Sequence, residues 1–125
     1  MTARNDKSRD ETEIRQLIDG RLKAVRAKDV DAAMSPCLEE WFLTFRGPAG
    51  YEIRDLSITA AHEVAFCHGL NRISGARTDG TETDVWVRAT SCFRKIGGNW
   101  MITHEHVSVP FEMAPPFKAS LGLKP

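Results

Sequence analysis

Near the end of the sequence, within WMITHEHVSVP at 100–110, two histidines flank a glutamate: His104, Glu105 and His106. On a β-strand, alternate residues point to opposite faces, so the histidines would share one face and the glutamate would take the other. Paired imidazoles begin a metal site, but zinc takes three or four ligands. The remaining histidines are His62 and His68, and Glu112 lies beyond Pro110, which ends the strand. Cys37, Cys67 and Cys92 form no CxxC pair, which argues against a zinc knuckle or a disulfide framework. Neither a metal nor a cofactor is expected. His104 and His106 read instead as hydrogen-bonding groups at an interface.

Glu105 is the sharper candidate for catalysis. Facing inward, it would stand with Met101, Thr103 and Val107 in an apolar cup, where burial disfavours the charged form. A general base that removes a proton beside a carbonyl needs that placement. The competing reading is a glutamate that pairs with a nearby arginine or caps backbone amides. Asn71, Ser91, Thr103 and Val107 share the parity of Glu105 and are the candidate ligand-binding residues. Removing such a proton also wants a hydrogen-bond donor, such as a phenol, for the oxyanion that forms. The one tyrosine, Tyr51, opens the first strand and is expected at the rim. No nucleophile elbow and no phosphate loop occur.

These residues need elements to hold them. RDETEIRQLIDGRLKAVRAK at 9–28 spaces Ile14, Leu17, Ile18, Leu22 and Val25 by threes and fours, the stripe of an amphipathic helix. Close packing is the expected reason for Gly20 inside it. Two shorter helices are expected at 29–35 and 37–45, separated by Pro36, before a turn at GPAG, 47–50. From Tyr51 the texture changes. YEIRDLSIT alternates, HEVAFCHGLNRISGAR is one long strand, DVWVRATSCFRK returns, and WMITHEHVSV ends the sheet, with turns at RTDGTE and IGGN. Helices followed by antiparallel strands predict an α+β domain with the helices on one sheet face. The stretch after residue 113, rich in proline, is expected to be an extended arm.

Strand parity sorts two faces. Cys67, Gly69, Asn71, Ile73, Val85, Val87, Ala89, Ser91 and Phe93, with Met101 to Val107 at odd positions, suit an inner face. Phe66, His68, Leu70, Trp86, Arg88, Trp100, Ile102, His104 and His106 make the outer one. Aromatic residues and arginine are enriched in protein interfaces, so Trp86, Arg88, His104 and His106 are expected to be buried in a homodimer. A bulge would swap part of one strand.

At 125 residues and 14.0 kDa the chain reads as one domain, 1–125, with its core at 10–113 and the arm at 114–125. Seventeen basic and seventeen acidic residues cancel, which leaves no electrostatic footprint for nucleic acid. No stretch is apolar enough for a bilayer and no signal region opens the chain, so a cytoplasmic protein is expected.

The segment from His68 to Phe111 resembles the C-terminal half of SnoaL-like domains in the nuclear-transport-factor-2-like superfamily. The marks are Arg88-Ala89-Thr90 after the hairpin, the GGNW turn at 97–100, and the closing His104-x-His106-x-Ser108. The association domain of calcium/calmodulin-dependent kinase is similar over the same stretch. The resemblance implies a cone-shaped α+β fold: a curved antiparallel sheet with N-terminal helices packed on its concave face. It also implies a pocket between sheet and helices, a small apolar ligand, and a dimer. Members include ketosteroid isomerases, polyketide cyclases, epoxide hydrolases and non-catalytic association modules. One departure stands at Ser35, Pro36, Cys37 and Leu38, where the family usually inserts a strand. Either the pocket wall is shortened there, or a mobile lid belongs there that continuous numbering closes up.

Overall fold

The computed structural model describes residues 3–27, 43–47 and 49–125, with side chains from residue 8 onward. The first element is a helix, α1, Ala3–Arg26. It starts earlier than the periodicity predicts, which reads its first residue at Arg9. Its stripe works as expected. Ile14 is fully buried, and Leu17 and Ile18 pack on the core beside it. Lys23 and Arg26 occupy the last turn, where cations meet the negative end of the helix dipole. Arg26 also donates from Nε to the carbonyl of Tyr51 at 2.8 Å, which ties the end of the helix to the start of the sheet. Gly20 is exposed, and among the described residues a Cβ there would meet nothing within 4 Å, so close packing against them is not its reason.

Among the described residues four strands follow: β1 Gly50–Ala61, β2 Val64–Ala76, β3 Glu82–Ile96 and β4 Asn99–Ser108. They form one antiparallel sheet in chain order. The last two reversals have local chemistry. Asp79 accepts from the backbone and hydroxyl of Thr81 in the β2–β3 turn, and Gly80 takes φ 88°. Gly97 and Gly98 take φ 57° and 82°, the paired positive values of a tight two-residue hairpin.

Two irregularities shape the sheet. In β1 the register shifts between Arg54 and Ser57, with Asp55 at φ 57°. Gly69 faces this bulge from β2, and an added Cβ would come within 3.3 Å of the Arg54 carbonyl. In β4, Cys92 pairs with His104 while Phe93 pairs with Ile102, so Thr103 has no partner of its own. This resets parity within the strand. Trp100 and Ile102 point inward before the bulge, and Glu105 and Val107 after it. Met101, expected inside, is 47% exposed, and Trp100, expected outside, is buried in the core.

The core gathers Ile14 from α1, Ala60 from β1, Ala65 and Cys67 from β2, Phe93 from β3 and Trp100 from β4. The architecture is thus α+β, an N-terminal helix against a four-stranded antiparallel sheet. The helix expected at 29–35 and the connection at Pro36 lie outside the described residues. Of the one expected at 37–45, Leu43 is helical and Phe45 already bridges to Arg77. The C-terminal stretch is no extended arm. Phe111 bridges Ala119, Glu112 bonds Lys118, and the rings of Phe111 and Phe117 meet edge to face at 6.4 Å. Among the described residues no helix is long and apolar enough to cross a membrane.

Candidate functional site

Between α1 and the inner face of the sheet lies a cavity of about 300 Å³. Helix residues Ile18, Leu22 and Val25 supply one wall; Ile53, Ile73, Val87, Ile102 and Val107 supply much of the other. The lining is aliphatic for a simple reason. The inward positions of both elements carry mostly branched aliphatic residues. Two polar clusters interrupt it.

The first centres on Glu105. Arg21 donates from Nη2 to Oε2 at 2.7 Å, and its Nη1 contacts Oε1. Ser91 donates from Oγ to the same Oε1 at 3.3 Å. The pair is only partly exposed, at 21% for the Arg21 side chain and 31% for Glu105. Burial pulls the Arg21 guanidinium below its ordinary value, opposed by the Tyr51 and Cys67 sites. A two-point contact of guanidinium and carboxylate is geometrically selective and favours the ionised acid. The expectation of a lone carboxylate in an apolar cup therefore gives way to an ion pair.

The second cluster joins Tyr51 and Asn71. Asn71, buried on β2, donates from Nδ2 to the Tyr51 hydroxyl oxygen at 2.6 Å. Burial pushes the Tyr51 phenol above its ordinary value, against the opposing hydrogen bond of Asn71 and the charge of Arg21. The phenol thus remains protonated, with its own O–H available as a donor. Cys67 also lines the cavity, and burial raises its thiol despite hydrogen bonding with Ser91.

The candidate residues can now be placed. Asn71, Ser91, Glu105 and Val107 all line the cavity. Asn71 and Ser91 are spent on Tyr51 and Glu105, so they orient the groups that face the space. Thr103 does not line it. The β4 bulge turns it toward a second hollow of about 310 Å³, which it shares with Trp100, Met101 and His104. Arg21 and Glu105 border both hollows. Trp86, Arg88, His104 and His106 sit on the opposite face; Trp86 is half-buried and the other three are exposed in the single chain. Among the described residues no group of three His, Cys, Asp or Glu side chains converges as metal ligands.

Two members of the site escape a reading by motif. Tyr51, expected at the rim, turns inward, and Arg21 belongs to no motif. A signal existed for each. Tyr51 precedes Ile53 by one strand step and shares its face. Arg21 follows Ile18 by three and precedes Val25 by four, on the apolar stripe of α1.

With this geometry in hand, the sequence matches the SnoaL-like domain over residues 32–112, and the chain belongs to that family. Among solved structures it is similar to an NTF2-like protein of unknown function from Pseudomonas putida KT2440. Identity there is 31% over 94% of this chain and 98% of that one, with a TM-score of 0.82. A nuclear transport factor 2-like superfamily protein from Salmonella enterica shares 18% identity over 86% and 96%, at a TM-score of 0.73. The association domain of C. elegans CaMKII shares 12% over 84% and 99%, at 0.63. The last two speak for the fold alone. No curated protein matches the chain significantly.

Proposed function

We propose that the protein binds a small, mostly apolar molecule in the cavity between α1 and the sheet, which curves into a cone around it. The supporting observation is a hollow of about 300 Å³ with aliphatic walls and two hydrogen-bonded polar clusters. Ligand sites have this make-up: apolar walls supply affinity, and a few fixed polar groups supply orientation. If an isomerase, cyclase or hydrolase reaction occurs on that ligand, Glu105 is the base. Arg21 and Ser91 hold its carboxylate in place at the cavity wall. The test is a thermal-shift panel of apolar ketones, lactones and epoxides, because a ligand of the native state raises the melting point. A rise with members of one class is expected; a flat response across the panel removes the reading. For any reaction found, Glu105→Gln should abolish turnover with the fold intact.

A second reading concerns the outer face and makes the protein an association module, working in the cytoplasm. Here the chain forms a homodimer that covers Trp86, Arg88, His104 and His106. Its support is an outer face that leaves Phe66 46% exposed and Val64 57% exposed beside an arginine and two histidines. The CaMKII domain that shares the fold is named for association. Light scattering decides it: a dimer at micromolar concentration is expected, and a monomer there sinks it.

A further inference from the structure

The outer face of the sheet carries a cluster of histidines that the cavity does not explain. Register sets them side by side. His68 on β2 pairs with Thr90 on β3, and Thr90 pairs with His106 on β4, so two imidazoles flank one threonine across three strands. Neighbouring strands lie about 4.8 Å apart, which puts these histidines about 10 Å from each other on one row. His104 stands in the next row, opposite Cys92, whose other partner is Phe66. All three histidines are exposed in the single chain.

Their surroundings are apolar and cationic. Phe66 and Leu70 sit one strand step either side of His68. Arg54, Leu70 and Arg88 share the row on one side, and Arg94 lies one step beyond Cys92 on the other. Among the described residues no carboxylate belongs to either histidine row. The acids of this face stand elsewhere by register: Asp55 in the β1 bulge, and Glu52, Glu82 and Asp84 toward the far end. Arg72 contacts both Glu52 and Asp84, and Lys124 acts on Asp84 as well.

Charge along the strands says which partner fits. Glu82 and Asp84 stand at one end of β3 and Arg94 at the other, with the histidine row between them. A second copy laid on this face with its strands reversed sets the acidic end of each chain over the basic end of the other. The central rows then meet, so the histidines of one chain approach Arg88 and the imidazoles of its partner. Uncharged imidazoles can be covered there beside Phe66, Leu70 and Trp86. Protonated ones are opposed twice, because burial disfavours the charged form and like charges face each other across the contact.

Taking the outer-face homodimer proposed above as ground, we infer that its contact is proton-sensitive: a second copy docks on uncharged His68, His104 and His106, and protonation of these histidines releases it. Histidine is the side chain that ordinarily changes charge between about pH 5 and 8. The dimer binds fewer protons than two separate chains, so association is complete above that range and is lost as pH falls through it.

Sedimentation of the full chain at about pH 7.5 and about pH 5.5, at one ionic strength, tests this; carboxylates ordinarily stay ionised at both. The dissociation constant should rise at least about tenfold at the lower pH. A variant carrying His68→Gln, His104→Gln and His106→Gln keeps polar side chains without the charge change and should stay dimeric at both values. His68→Gln alone should remove part of the pH effect. His62→Gln, in the exposed turn between β1 and β2, should dissociate in acid as the native chain does. Urea midpoints in dilute protein show that each variant is folded. A native dimer of equal strength at both pH values overturns the inference and leaves the association reading standing. Acid dissociation that persists undiminished in the histidine variants also overturns it. A monomer at both pH values overturns the inference and the association reading together.

Discussion

The two faces of this sheet come from the same strands and the same residues in alternation, yet they behave differently. On the inner face, Cys67, Val87 and Phe93 are buried, and the cavity lies between that face and α1. On the outer face, Phe66, His68, Arg88 and His104 are exposed. Hydrophobicity alone does not separate them, since Phe66 and Trp86 are as apolar as most of the inner set. The difference is what covers each. A helix that crosses one face removes apolar area from water there and leaves the other face to whatever partner exists. The inner face therefore holds the stability of the chain, and the outer face keeps surface available for association.

The sharpest way to break this comparison is a pair of phenylalanines. Phe93 is 1% exposed, so Phe93→Ala should cost about 3–5 kcal/mol in urea unfolding, the usual toll of emptying a packed aromatic site. Phe66→Ala should cost under about 1 kcal/mol in dilute protein. Equal losses would mean that the faces are not distinct in the way described. Association sharpens the contrast from the other side. Trp86→Ala should weaken the proposed dimer at least about tenfold by sedimentation, or about 1.4 kcal/mol, while the dilute monomer keeps its midpoint. If dissociation is unchanged, Trp86 is no anchor.

Smaller effects probe how the inner face is bent. Gly69→Ala places a methyl against the bulge carbonyl of Arg54, and a loss of about 1 kcal/mol is expected. Gly20→Ala, on the open side of α1, should instead gain up to about 1 kcal/mol. A destabilised Gly20→Ala variant would point to a contact on that side of the helix. The smallest effect is alkaline. Burial raises the Tyr51 phenol above its ordinary value of 10.0, so the folded state holds its proton more tightly than the unfolded state does. Stability from this source is complete below about pH 10 and is lost as pH climbs through the higher folded value. Tyr51→Phe should flatten that alkaline decline in the urea midpoint. An identical slope would place the phenol in solvent.

Much of this was legible in the chain. The three-and-four spacing from Ile14 to Val25 requires a helix with one buried stripe. The turns at Asp79-Gly80 and Gly97-Gly98 need positive φ, which glycine accepts without strain, and so they set the hairpins and the strand order. Alternation between them put Asn71, Ser91, Glu105 and Val107 on one side of the sheet. All of these signals are local: period, turn chemistry and parity act over a few residues.

The tertiary structure alone decided the rest. Parity carries along a strand only until a bulge, and the unpaired Thr103 exchanged Trp100 and Ile102 for Met101 and Thr103 on the inner face. No spacing rule announces that shift, because it depends on how β4 lies along β3. The partner of Glu105 comes from 84 residues away on α1, and Tyr51 meets Asn71 across 20. Such pairs are set by where the helix crosses the sheet. A sequence read in windows therefore finds the carboxylate, and only the packed fold supplies the arginine that holds it.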